Sequence, residues 1–125
     1  MKIISTNSAP SAIGPYSQAV KINAGDLLFT SGQIPLCPDT MEIVGDDITA
    51  QTQQVMRNIS AVLQAANCAF TDVVKTTCFL TDMANFAAFN EVYAEYFTSK
   101  PARSCIAAAA LPKGVLVEVE VIAKV

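Results

Sequence analysis

Strict alternation of apolar and polar positions is clearest near the C-terminal end. There Val117, Val119 and Val121 are interleaved with Glu118, Glu120 and Ile122. Strand side chains project to opposite faces with period two, so residues 115–125 read as a β-strand with the valines on one face and both glutamates on the other, about 7 Å apart. Upstream the period changes. Ile48, Val55, Ile59, Val62, Leu63 and Ala66 recur at helical spacing, with Gln51, Gln54, Arg57, Asn58 and Gln64 on other faces. Asp46 and Asp47 stand where free helix N–H groups and the dipole favour carboxylates. An amphipathic helix of about 20 residues, roughly 30 Å long, is predicted. Asp82 is placed to cap a second helix reaching about Phe97. Its Phe86, Phe89, Tyr93 and Tyr96 or Phe97 would face the core, with Glu91 and Glu95 on a wetter side.

The rest reads as short strands and loops. Residues 2–5 suit an edge strand and 73–81, rich in β-branched residues, a longer one. Segments 17–22 and 27–30 flank Asn23-Ala24-Gly25-Asp26 as a hairpin. Residues 104–110 are a strand by context, although their alanines favour helix. Pro10, Gly14 and Pro15, then Pro35, Pro38 and Gly45, mark two loops, and Pro112 with Gly114 a turn. The order β-β-β-α-β-α-β-β is α+β, with two helices available for one sheet face. The other face, largely apolar, has nothing in the chain to cover it and is expected to lie against another copy.

Composition sharpens this. The 125 residues suit one domain, 1–125. Apolar residues make up 52% and charged residues 15%, with a mean hydropathy of +0.39, greasier than a typical domain and again pointing to an oligomer. No apolar run approaches the roughly 20 residues that span a bilayer. No apolar stretch behind Met1-Lys2-Ile3-Ile4-Ser5 suggests a signal peptide. A cytoplasmic protein without membrane partners is expected. The net charge is −3 and the eight Lys and Arg residues are scattered, so a nucleic-acid backbone finds no basic stripe. Cys37, Cys68, Cys78 and Cys105 form no CxxC pair and read as reduced thiols. Histidine is absent, which removes Ser-His-Asp and Cys-His triads and the HExxH zinc pattern. Acid–base work must then fall to carboxylates, Cys, Tyr, Lys, backbone or water.

Glu118 and Glu120 read by default as solvated glutamates, but a face buried between subunits would demand a partner or a task for a carboxylate there. Arg103 and Cys105 share a face by alternation. Arg103 either pairs with Glu91, Glu95 or Glu118, or presents its planar fork to a substrate carboxylate. Arg57, among Gln and Asn, reads as a solvated surface group. In the loops, Tyr16 follows the Gly14-Pro15 turn, and Thr30-Ser31-Gly32-Gln33-Ile34-Pro35 ends a strand with backbone open to close approach.

Taken together, six pieces resemble the RidA/YjgF family of reactive-intermediate (imine/enamine) deaminases. They are residues 13–18 (Ile-Gly-Pro-Tyr-Ser-Gln), 30–35, Val74-Lys75-Thr76-Thr77, the Asp82…Asn90…Tyr93 helix, Pro101-Ala102-Arg103-Ser104-Cys105, and Leu111-Pro112-Lys113 leading to Val117-Glu118-Val119. They occur in the family's order and span nearly the whole chain, the arginine segment followed by the glutamate strand being the specific part. The resemblance implies a chorismate-mutase-like α+β unit with a mixed sheet and two helices on one face, assembled as a homotrimer with sites in the clefts between subunits. It implies hydrolysis of 2-imino acids, such as 2-iminobutanoate and 2-iminopropanoate, to 2-keto acids and ammonia, without metal or cofactor. By motif position Arg103 would bind the substrate carboxylate and Glu118 would activate water. Tyr16 would close the pocket, Ser31 and Gly32 would line it, and Asn90 and Cys105 would join its wall. Glu120 is not the motif glutamate. The Thr98-Ser99-Lys100 segment is shorter than in several bacterial members, which touches substrate preference. Competing readings are a 2-keto acid-binding regulator in the same cleft, an RNA-cleaving translation inhibitor, which the charge pattern and missing histidine oppose, and a holdase, which would need apolar patches left exposed.

Overall fold

The computed structural model describes residues 1–8, 11–23 and 25–125. Its elements follow the expected order: β1 (Lys2–Ile4), β2 (Ala19–Lys21), β3 (Leu27–Phe29), α1 (Ile48–Ala65), β4 (Val73–Leu80), α2 (Phe86–Tyr96), β5 (Ala102–Ala107) and β6 (Val117–Lys124). Strand β1 pairs antiparallel with β2, and a four-stranded mixed sheet runs β3-β6-β4-β5. In it β6 is antiparallel to both neighbours and β5 is parallel to β4.

Alternation on β6 holds along its length. Val117, Val119, Val121 and Ala123 are buried beneath the helices. Val55, Met56, Ile59 and Leu63 of α1, Phe89, Val92 and Tyr93 of α2 with Phe97 just beyond it, and Val73, Cys78 and Leu80 of β4 complete one core. Two helices therefore pack on one face of a mixed sheet. On the opposite face Phe29 is 67% and Ile106 52% exposed, so the chain leaves that face uncovered among the described residues. No described helix is long and apolar enough to cross a membrane.

Two expectations need correction. The hairpin across Asn23–Asp26 is not the observed pairing: β2 pairs with β1, and β3 with β6 through Leu27↔Lys124 and Phe29↔Ile122. The distant partner wins because it packs Leu28 against the core, a gain the local turn cannot offer. Ala24 of that turn, and Ala9 and Pro10 of the preceding loop, lie outside the described residues. Strand β5 starts at Ala102 and stops at Ala107 rather than spanning 104–110. Its length is set by β4, whose Leu80 is the last residue in register, opposite Ala107.

Helix α1 is capped by Asp47, whose carboxylate accepts from the Ala50 N–H at 2.8 Å. Its polar stripe is partly buried rather than solvated, because it organises backbone. Gln51 donates to Gly45 O at 3.0 Å and accepts from Leu116 N at 2.8 Å, tying the helix start to the root of β6. Asn58 donates to Ile34 O and Leu36 O, both at 3.0 Å, seating the loop that follows β3. Arg57 is exposed, as expected. Asp82 caps a short 3-10 turn, Met83–Asn85, by accepting from Ala84 N at 2.9 Å, and that turn runs into α2.

Asp47→Ala removes the cap and is expected to lower unfolding stability by about 1 kcal/mol. Asp46→Ala, which removes no cap, should change it by less than about 0.5 kcal/mol. Urea titrations of both variants at one protein concentration check the contrast, and equal effects would contradict the cap assignment.

Candidate functional site

Arg103 is the second residue of β5, and register places it opposite Thr76 on the helix-facing side. Three rings surround its guanidinium, with centroids at 5.3 Å (Tyr16), 5.3 Å (Phe86) and 4.8 Å (Tyr93). Such contacts hold a cation by the negative face of the ring while leaving its N–H groups free. One N–H donates to Asn90 Oδ1 at 2.6 Å. That acceptor is a neutral amide, so this contact orients the fork without neutralising its charge.

Each wall has a local cause. Phe86, Asn90 and Tyr93 lie at i, i+4 and i+7 of α2 and share one stripe. The Tyr93 hydroxyl reaches back to Thr76 Oγ1 at 2.8 Å, fixing the ring beneath the arginine, and burial pushes that hydroxyl's pKa upward. Tyr16 arrives from a distant loop. Ser17 holds it there, its hydroxyl donating to Lys100 O and its N–H to Pro101 O at 3.2 Å. The short Thr98-Ser99-Lys100 segment thus anchors the tyrosine loop to the start of β5.

Cys105 lies two residues along the same face, in register with Cys78 of β4. Its thiol pKa is lowered, first by a hydrogen bond from Cys78 and also by the Arg103 charge, against some burial. Burial pushes the Cys78 thiol up.

Glu118 sits elsewhere. It is opposite Phe79 on β6 and points to the uncovered face, together with Glu120 opposite Thr77. Gly32 lies directly over it: a Cβ there would stand 1.9 Å from Glu118 Oε1, so any side chain at position 32 would displace the Glu118 carboxylate from this position. The approach is fixed by a reciprocal pair, Gln33 N to Val119 O at 2.8 Å and Val119 N to Gln33 O at 3.1 Å. Ser31, beside Gly32, is exposed. A cavity of about 350 Å3, lined by Gly32, Ile34, Leu36, Met41, Asn58 and Val62 among others, opens between this loop and α1.

The anticipated residues therefore fall into two groups. Arg103, Tyr16, Asn90 and Cys105 gather at the β5 edge on the helix side, and Ser31, Gly32 and Glu118 gather on the other side of the sheet. A single chain does not bring Arg103 and Glu118 together. The first group offers a fixed cation whose one hydrogen bond among the described residues goes to Asn90, and the second a half-buried carboxylate beside open backbone. Sequence reasoning assigned Phe86 and Tyr93 to the core and read Cys78 as a reduced thiol, missing their contacts with this site. The signal available was Asn90, a polar residue interrupting an aromatic helix stripe.

The chain is similar to known proteins over nearly its whole length. The family model described as Endoribonuclease L-PSP matches residues 6–125. A RutC family protein of Pyrococcus horikoshii is 55% identical, the match covering 98% of this chain and 96% of the relative. The Reactive Intermediate Deaminase A, chloroplastic, of Arabidopsis thaliana is 45% identical, covering 98% of this chain and 65% of the relative. Among solved structures, RidA of an Antarctic Psychrobacter species superposes with a TM-score of 0.77 at 43% identity, covering 100% of both chains. TdcF of E. coli with bound serine gives 0.75 at 45% identity, covering 100% of this chain and 99% of that one. The extent of these matches, over the segments that build both residue groups, establishes that the chain belongs to the RidA/YjgF family, which includes reactive-intermediate deaminases.

Proposed function

We propose that the protein is a cytoplasmic homotrimeric deaminase that hydrolyses 2-imino acids to 2-keto acids and ammonia. In this reading each site is completed across a subunit boundary, the Arg103 group of one copy facing the Glu118 group of its neighbour. The observation that carries it is the state of Arg103: a guanidinium caged by three rings, with one neutral hydrogen-bond partner and donors to spare among the described residues. That is a receptor for an anion, and its planar fork matches a carboxylate. The exposed apolar residues on the Glu118 face support burial against another copy. The serine in the TdcF structure has the α-carboxylate that such a fork would grip.

The chemistry follows from the two groups. Arg103 holds the carboxylate and so fixes the neighbouring C2. Glu118 orients a water and accepts its proton as the oxygen attacks C2. The C=N π electrons move to nitrogen, which takes up a proton, giving a carbinolamine. Collapse of that adduct expels ammonia and leaves the keto acid. Free imines already hydrolyse in water, so positioning and one proton transfer suffice. 2-Iminopropanoate and 2-iminobutanoate are the proposed substrates. Tyr16 closes the pocket, Ser31 and Gly32 line it, and Asn90 and Cys105 form its wall.

Names such as regulator and endoribonuclease occur among the similar proteins. The serine-bound relative favours a second reading, a metabolite-binding regulator using the same cleft without turnover. An RNA-cleaving role has less support, since the net charge is −3 and histidine is absent.

Arg103→Ala is expected to abolish the accelerated release of ammonia from freshly generated 2-iminopropanoate while leaving the circular-dichroism spectrum unchanged. Full activity in a folded Arg103→Ala protein would remove the carboxylate role. Glu118→Gln should lose about 10²-fold or more in rate, the usual worth of a positioned general base, while keeping 2-keto acid affinity by calorimetry. An unchanged rate in Glu118→Gln would refute its catalytic role, and a wild-type protein that binds 2-keto acids without accelerating hydrolysis would favour the regulator.

A further inference from the structure

Cys78 and Cys105 occupy paired positions on adjacent parallel strands, their side chains on one face of the sheet. Neighbouring strands lie about 4.8 Å apart, within the Cα separation of about 4.4–6.8 Å that a disulfide bridges. The two thiols differ in environment. Cys78 is fully buried beneath the helices, whereas Cys105 is only half-buried. Strand β5 is the edge of the four-stranded sheet, and among the described residues its far side carries only the single bridge of Ser17 to Ala102, so at Cys105 it can draw inward without breaking a second ladder. Arg103 lies two residues before Cys105 on the same side, supplying positive charge of the kind that favours a thiolate.

We propose that Cys105 and Cys78 form a peroxide-reactive pair, Cys105 taking the oxidant and Cys78 resolving it as an intrachain disulfide. Access sets the order, since a small peroxide reaches half-buried Cys105 at the sheet edge but not Cys78 in the core. The lowered Cys105 pKa raises its thiolate fraction, and burial, which holds the Cys78 thiol protonated, keeps Cys78 from competing for the oxidant.

The chemistry balances with hydrogen peroxide or an organic hydroperoxide as co-reactant. The Cys105 thiolate attacks one peroxide oxygen, the O–O bond breaks, and the other oxygen leaves as water or alcohol after protonation. Sulfur is oxidised by two electrons to the sulfenic acid and the peroxide is reduced by two. The Cys78 sulfur then attacks the Cys105 sulfur. An S–S bond forms, and the hydroxyl leaves as water with the Cys78 proton. Reduction by an external dithiol reverses the step. The proposal stands independently of imine hydrolysis, because its readout is the covalent state of the chain.

The test treats the full-length protein with a small excess of hydrogen peroxide and maps its thiols by mass spectrometry under non-reducing conditions. The expected product is an intact chain lacking two hydrogens, with peptides carrying Cys78 and Cys105 linked, Cys37 and Cys68 free, and the link lost on adding dithiothreitol. Cys78→Val, a near-isosteric change in the core, should stop at a Cys105 sulfenic acid that dimedone traps. Cys105→Ser should leave Cys78 reduced. Oxygen added to Cys105 with Cys78 still free in the wild type would overturn the pairing. Equal oxidation of Cys78 in Cys105→Ser would overturn the order of attack, and no reaction at either thiol would overturn the proposal outright.

Discussion

The pleat of β6 is the constraint on which the rest of the molecule depends. Burying Val117, Val119, Val121 and Ala123 under two helices forces Glu118 and Glu120 to the opposite side of the sheet. Sliding the strand by one residue would drive two carboxylates into the core and expose the valines, so the register has no near competitor. The same rule, transmitted through β4, turns Arg103 and Cys105 toward the helices. One physical requirement thus sorts the polar residues of this chain into two sets on two faces. The hydrolysis proposed above therefore needs the two sets to come from different copies.

What lies near each set is equally determined by packing. The guanidinium is held by rings from a loop and from α2, and those rings are anchored by Thr76 and by the Ser17 contacts to Lys100 and Pro101. The glutamate is overlaid by a glycine whose missing side chain makes room for it. Neither feature uses a residue of high intrinsic reactivity. The reactivity proposed for the protein comes from placement, in keeping with a substrate that hydrolyses unaided and needs little more than orientation and a proton acceptor.

Much of this was legible in the sequence because it rests on periodicity. The valine–glutamate alternation predicts the C-terminal strand and its faces, the 48–66 pattern predicts α1, and Asp47 marks its cap, whereas Asp82 caps the 3-10 turn ahead of α2 and not that helix itself. The family resemblance supplied the residues worth watching. Less legible were features set by contacts distant in sequence. The Asn23–Asp26 turn suggested a hairpin, yet β3 pairs with β6 nearly a hundred residues away, a choice no local signal encodes. Gln51 and Asn58 were legible only as polar residues off the apolar helix face, yet they hold loop and strand backbone. Phe86 and Tyr93 looked like ordinary core residues, because a ring that packs against aliphatic neighbours and one that cages a guanidinium have the same spacing. Alternation also put Arg103 and Cys105 on one face, but which face they share with the helices emerges only from the β4 register.

The central claim is that Arg103 and Glu118 act on one substrate from different copies. Mixing Arg103→Ala chains with Glu118→Gln chains in equal amounts, under conditions that let subunits exchange, tests it most directly. In a cyclic trimer a boundary is intact only when an Arg103-bearing chain meets a Glu118-bearing one on the correct sides. That occurs for half of one neighbour and half of the other, about one quarter of boundaries. The account predicts that the mixture recovers about that fraction of wild-type imine hydrolysis although each parent is inactive, and a mixture as inactive as its parents, with exchange verified, would contradict it.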